Sequence, residues 1–258
     1  MNAARLALHQ VRFENKTFWR NPASAFFTFA FPLMFLVIFN GVFGDREVVL
    51  FGRTTTTSNF YVPSIAAFSV ITACFTGMAM NIVFAREQGV LKRKLGTPLP
   101  PSSYIGGRIL HATAIELLLV TIVVLAGRLF YGVPFPTASL PAFIVTLLVG
   151  SVAFCSLGIA VTALVPNAHA APAVVNAIIL PLLFVSDVFF GPDASPGWLR
   201  SFANLFPIRH YLEAMLRSFF PLNAGSGWAW GELGVVLLWG AAGIALAVKF
   251  FRWEPRER

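Results

Sequence analysis

Apolar runs long enough to cross a bilayer alternate with short polar ones along nearly the whole chain, and this alternation predicts an all-α integral membrane protein of six spans in a single domain, residues 1–258. Residues 21–44 carry no charge, and at about 1.5 Å per residue they exceed a hydrocarbon thickness of ~30 Å. Pro32 predicts a kink in this first span, because it removes a backbone donor. Residues 45–59 read as a polar loop, residues 60–85 as span two and residues 104–125 as span three. No formal charge occurs from Leu129 to Ser186. That stretch is too long for one span, so the hinge Val165-Pro166-Asn167-Ala168-His169-Ala170-Ala171-Pro172 divides it. Span four is then residues 140–164 and span five residues 172–190, kinked at Pro181. Residues 228–250 form span six.

Two polar segments have helical periodicity without the apolar length of a span. In residues 1–20, Arg5, His9, Arg12, Lys16 and Arg20 make one stripe, while Ala4, Leu8, Val11 and Phe18 fall on the other side. This predicts an amphipathic interfacial helix lying along an anionic leaflet. In the segment 191–227, Ile208, Leu212, Met215 and Phe219 recur at helical spacing, and Arg209, Glu213 and Arg217 form a second stripe. Pro207 suits a first helical turn, so a short helix in the outer interface is expected before span six.

The longest polar island in the first half is residues 86–101, between spans two and three. Its charges Arg86, Glu87, Lys92, Arg93 and Lys94 would each cost at least about 2.5 kcal/mol in mid-hydrocarbon, which places the island at an aqueous face. Leu91 and Leu95 stand four apart, and Gly96 and Pro98 stop what reads as one or two helical turns.

With 57% apolar residues, 12% charged and a net charge of +8, the composition excludes an ordinary soluble domain. The cations fall at the ends of apolar runs, which argues for membrane topology over nucleic-acid binding. Thirteen of the nineteen lysines and arginines fall on the side that holds both termini and the island, against six on the other. By the positive-inside rule both termini are cytoplasmic.

The run Arg86-Glu87-Gln88-Gly89-Val90-Leu91-Lys92-Arg93-Lys94-Leu95-Gly96-Thr97-Pro98-Leu99 resembles the cytoplasmic coupling segment of ABC type-2 exporter permeases. Asn204-Leu205-Phe206-Pro207-Ile208-Arg209-His210-Tyr211 is similar to that family's segment before its last span. Val90 stands where many members carry a small hydroxyl residue. The resemblance implies a permease in the cell membrane that dimerises with a second copy or a paralogue and pairs with separate ABC ATPase subunits. ATP and Mg would then sit on the partner, and a hydrophobic or amphipathic compound, drug-like or lipid, would be exported. Glu87, Gly89, Val90, Leu91, Lys92, Leu95, Thr97 and Pro98 become the ATPase-coupling residues. If the helix docks in a groove, Val90, Leu91 and Leu95 supply buried contact, Gly89 allows close approach, and Thr97-Pro98 fixes the exit toward span three.

Glu116 is the one acid well inside an expected span, about 12 Å beyond Arg108 along the helix. It either serves the substrate path, through cation recognition or proton handling, or is a structural carboxyl joining two spans. Cys74 and Cys155 read as small buried core residues, with no metal-ligand spacing. No G-x-x-x-x-G-K-[ST] loop occurs, so the chain supplies no nucleotide cradle of that type. An intramembrane hydrolase or transferase would need a nucleophile and a base at a common depth, and His9, His111, His169 and His210 are scattered over different membrane levels. A stand-alone secondary transporter would normally show internal repeats and paired intramembrane ions.

Overall fold

Each long uncharged run forms a helix. The computed structural model describes residues 3–44, 46–191, 196–220, 227–251 and 253–254. Residues 1–2, Asp45, residues 192–195 and 221–226, Arg252 and residues 255–258, which hold parts of the expected loops and charged tail, lie outside the described residues, as do the side chains of Ala3 and Ala4. Helix α1 is Ala3–Trp19 and α2 is Pro22–Phe43. Between them the Asn21 side chain accepts from the Ser24 N–H, and Pro22 opens α2 where no intrahelical donor is needed.

Residues 45–59 are more than a loop. Glu47–Leu50 (β1) and Arg53–Thr56 (β2) pair antiparallel with Leu50 opposite Arg53, leaving Phe51 and Gly52 as the turn. Both turn residues have positive φ, 51° and 77°, the twist that a tight two-residue hairpin requires. Val48, Val49 and three successive threonines supply the strand preference.

Span two begins earlier and ends later than expected. Thr57–Ile71 (α3), a π-helical stretch Thr72–Gly77 and Met78–Glu87 (α4) run on as one helix. Every residue of α3 except Asn59 is buried, which makes it the axis of the core. Then follow α5 (Val90–Leu95), α6 (Pro101–Tyr131), α7 (Leu140–Val161), α8 (Ala171–Val185), α9 (Gly197–Ala203), α10 (Pro207–Phe219) and α11 (Trp230–Phe250).

Among the described residues, five helices are long and apolar enough to cross a membrane: α2, the run Thr57–Glu87, α6, α7 and α11. The sixth apolar helix, α8, has 15 residues. Expected span five is cut short because the helix stops at Val185 and the chain turns through Asp187, whose φ is +58°. The chain is a mostly helical, multi-pass membrane protein. Phe26, Phe27, Leu237 and Leu238 project from the outer faces of α2 and α11, the ordinary condition of a lipid-facing surface. Helix α11 lies on α7, and a Cβ at Gly243 would fall 2.9 Å from the Leu157 nitrogen. Small residues at such crossings let helices touch in lipid, where no hydrophobic effect drives them together.

The two expected interfacial helices pack more closely into the bundle than their stripes imply. On α1, Ala7 and Gln10 are buried while Leu8 is exposed. The packed face is set by α6: Gly107 comes so near that a Cβ would fall 2.6 Å from Gln10 Cβ, and Arg108 Nε donates to Glu14 Oε1 at 3.1 Å. On α10, Tyr211, Ala214 and Ser218 are buried along with Ile208, Leu212, Met215 and Phe219, so apolar packing extends around most of the helix. Its polar stripe is held within the chain, Arg209 by Asp187 and Arg217 by Glu213.

Contacts sort the connections into two ends. At one, Lys92 pairs with Glu254, Tyr104 meets Trp253, and a cavity of about 270 Å³ separates α1 from the α5–α6 link. We call this the basic end. At the other, the hairpin, the turn after α8 and α10 surround a cavity of about 290 Å³ lined by Phe51, Asp187, Arg209 and Glu213 among others.

Candidate functional site

The turn from α4 into α5 is built around a residue absent from the expected coupling set. Arg86 is 1% exposed. Its Nη1 donates to the Thr162 carbonyl at 3.2 Å and Nη2 to the Val165 carbonyl at 2.7 Å. These carbonyls lie just past the C-terminus of α7, where a helix leaves acceptors unpaired and its dipole favours a cation. Arg86 therefore escapes hydrocarbon by burial in protein, where the sequence reading placed it in water. The clue available in the sequence was the hinge itself, an uncharged corner whose prolines leave carbonyls in need of donors.

Beyond Arg86 the chain reverses through Gly89, whose φ of +68° favours glycine. A Cβ there would meet no atom within 4 Å of this chain, so the backbone angle and not crowding is what glycine satisfies. The expected coupling residues then divide. Leu91 is fully buried in the chain's own core and Val90 is half-buried beside it. Glu87, Lys92, Leu95, Thr97 and Pro98 are exposed. The Thr97 hydroxyl donates to the Lys94 carbonyl at 2.6 Å, which closes the end of α5. Lys92 and Glu254 are 3.3 Å apart but more than half exposed, a pair worth roughly 0 to 1 kcal/mol.

Glu116 is placed far from this surface. It is 1% exposed, and neither carboxyl oxygen has a protein hydrogen-bond partner. Near it lie Cys74, Cys155, Ser151 and Tyr211, all buried. Ser151 Oγ and Tyr211 Oη are likewise buried without partners. Room for the Tyr211 ring comes from Gly150, where a Cβ would fall 2.1 Å from Cε2. The two cysteines are buried core residues as expected, Cys74 on the π-helical stretch and Cys155 on α7, which pack against each other. Glu116 lines none of the three cavities of about 270 to 290 Å³.

A family profile described as ABC-2 type transporter matches residues 8–220, from α1 to the end of α10. Over 223 residues the chain is 27% identical to a protein of Porphyra purpurea named as transport permease ycf38, covering 86% of this chain and 75% of that one. It is 24% identical over 193 residues to an Escherichia coli protein named as multidrug ABC transporter permease YbhR, covering 75% of this chain and 52% of the relative. With the daunorubicin resistance ABC transporter permease protein DrrB1 of Streptomyces coeruleorubidus it shares 25% identity over 226 residues, 84% of this chain and 72% of that one.

Proposed function

The chain belongs to the ABC-2 type transporter family, whose members are transport permease components and not catalytic enzymes, and on that premise we propose that it is the membrane-spanning subunit of an ATP-driven exporter. Separate ATPase subunits bind ATP and Mg, and this chain binds no cofactor or metal of its own. The cargo is a hydrophobic or amphipathic compound, drug-like or lipid, carried out of the cytoplasm or inner leaflet of the cell membrane. The relatives' names, multidrug and daunorubicin resistance permeases, support the drug-like reading. A second copy or a paralogue completes the transport unit.

Six crossings follow if α8 and the turn to Phe190 together make the fifth, since Arg86 fastens the start of that segment at the basic end while Asp187 pairs with Arg209 at the hairpin end. The excess of cations at the basic end supports its facing the cytoplasm.

The observation that carries this reading is the mounting of α5. Its inner side is fixed by Leu91 and by the neighbouring Arg86 clasp, while Leu95, Thr97 and Pro98 face outward at the basic end. A short helix held this way passes a push from an outside partner into α4 and α7. Contact is then made by packing on Leu95 more than by charge on Lys92. Leu95→Ala is expected to weaken co-purification of the ATPase by more than about 1 kcal/mol, and Lys92→Ala by about 0 to 1 kcal/mol. The isolated chain hydrolyses no ATP, and turnover rises with substrate only in the assembled complex. ATP hydrolysis by the purified chain alone, or uncoupling by Lys92→Ala with Leu95→Ala intact, counts against the proposal. Leu91→Ala is unsuited to this test, because emptying a buried site costs about 2 to 5 kcal/mol of fold stability first.

A further inference from the structure

A third cavity, of about 290 Å³, opens between α1, α2, the π-helical stretch, α4 and α6. Its walls are polar for so apolar a protein: Glu14, Asn21, Ser24, Asn81, Arg108 and His111 face it. One nitrogen on each of two of these side chains is buried without a partner. Arg108 Nη1 and His111 Nε2 have almost no exposed surface and no hydrogen-bond partner. They lie three residues apart, on one face of α6.

The Glu14–Arg108 pair does not account for the orphaned donor. Arg108 uses Nε toward Glu14 Oε1 at 3.1 Å, and the same oxygen accepts from Gln10 at 2.9 Å. The outer arm of the guanidinium fork is left over. An arginine cannot shed that proton, so a buried Nη1 requires an acceptor. Imidazole next to it donates as well when Nε2 carries its proton. Two donors one helical turn apart on the same face match the oxygens of a phosphate or carboxylate.

Depth and surroundings narrow the ligand further. Helix α6 is 31 residues long, about 46 Å, which exceeds a ~30 Å hydrocarbon layer, so Arg108 and His111, about 10 to 15 Å from its start, lie near the hydrocarbon boundary of the basic end. Leu110 on the same helix and Phe26 and Phe27 on α2 are exposed nearby in sequence, an apolar flank suited to acyl or alkyl chains. The cavity has room for a headgroup and not for tails.

We infer that this cavity binds the phosphate or carboxylate headgroup of an amphiphile in the leaflet at the basic end, with Arg108 and His111 as its donors. The inference needs only the membrane setting and does not depend on export or on an ATPase partner. Where the amphiphile is the cargo, this is its site of capture. Where it is a resident lipid, the site seats α1 on α6.

Native mass spectrometry of the delipidated full chain in neutral detergent tests it, with dodecyl phosphate, dodecyltrimethylammonium and inorganic phosphate as probes. Wild type is expected to retain one dodecyl phosphate in preference to the cation. Arg108→Lys keeps the charge and the pairing with Glu14 but loses the fork, and His111→Leu removes the second donor. Each is expected to weaken retention about tenfold, as the loss of one charge-assisted hydrogen bond implies. Arg12→Gln, on the exposed stripe of α1, leaves retention unchanged, which separates the cavity from general attraction to a basic surface. Displacement by inorganic phosphate at similar concentration supports the donor pair and assigns it to a soluble anion, while resistance to it assigns the site to an amphiphile. Equal retention in wild type, Arg108→Lys and His111→Leu, each shown to be folded by its near-ultraviolet circular dichroism, overturns the inference, as does preference for dodecyltrimethylammonium.

Discussion

The two ends of the bundle solve the same problem, closing helix termini over charged residues, in opposite ways. At the hairpin end the charges are consumed internally: Asp187 holds Arg209 at 2.6 Å, Glu232 meets His210, Glu213 holds Arg217, and α10 is buried beneath them. At the basic end one cation, Arg86, is drawn inside onto backbone carbonyls, and Lys92, Arg93 and most of α5's outer side remain in the open. The hairpin end seals itself. The basic end is rigid beneath and leaves its outer charges exposed to solvent, even where Lys92 pairs with Glu254.

The contrast is tested most severely at Arg86. Arg86→Ala removes a buried cation and two charged hydrogen bonds, so a loss of about 3 to 5 kcal/mol in stability is expected. Thermal unfolding in detergent measures it, and a shift no larger than that of Lys92→Ala would show that the clasp does not hold the basic end. At the hairpin end the comparable test is Gly150→Val. The added side chain would collide with the Tyr211 ring and force α10 outward, costing about 1 to 3 kcal/mol. Protease sensitivity of residues 203–220 should rise with it. If α10 stays protected, its burial does not depend on the Tyr211 socket.

The smallest effect is expected between the ends, at Glu116→Gln. Because neither carboxyl oxygen is bonded within the protein, the amide keeps the shape and loses no protein contact, and stability should move by less than about 1 kcal/mol. In the exporter complex proposed above, cationic and neutral substrates should then be transported alike. Selective loss of cationic cargo would instead assign Glu116 to the substrate path.

What the sequence made legible is what lipid demands locally. A span must satisfy its backbone within about 20 apolar residues, so α2, α6, α7 and α11 stand out wherever charges pause. The hairpin was hidden because residues 45–59 contain too few apolar side chains for a period, although Phe51-Gly52 and the threonine run carry its turn and strand preferences. On α1 the stripe Arg5, His9, Arg12, Lys16 and Arg20 is exposed as its spacing implies, but exposed Leu8 and buried Gln10 depart from a simple amphipathic pattern, since Glu14 and Gly107 bring the Gln10–Glu14 side onto α6. Similarly, the stripe Arg209, Glu213 and Arg217 signals water until Asp187 is seen to face it. The coupling run was legible as a surface helix, but not the side of it that Leu91 turns inward. Nor was Arg86, because its acceptors are backbone atoms with no side-chain signature. Apart from the hairpin, each omission is a contact between segments distant in sequence, and periodicity reports only on neighbours along one helix.

The separation between Arg86 and its acceptors also orders the assembly of the protein in time. Thr162 and Val165 are synthesised 76 and 79 residues later. Until α6 and α7 have both entered the membrane, the cation has no carbonyls to meet and must wait in water at the end of α4. Closing the clasp therefore follows the insertion of α6 and α7 and precedes that of the helices after Val165, and it registers in one contact that the two intervening helices lie in the correct sense.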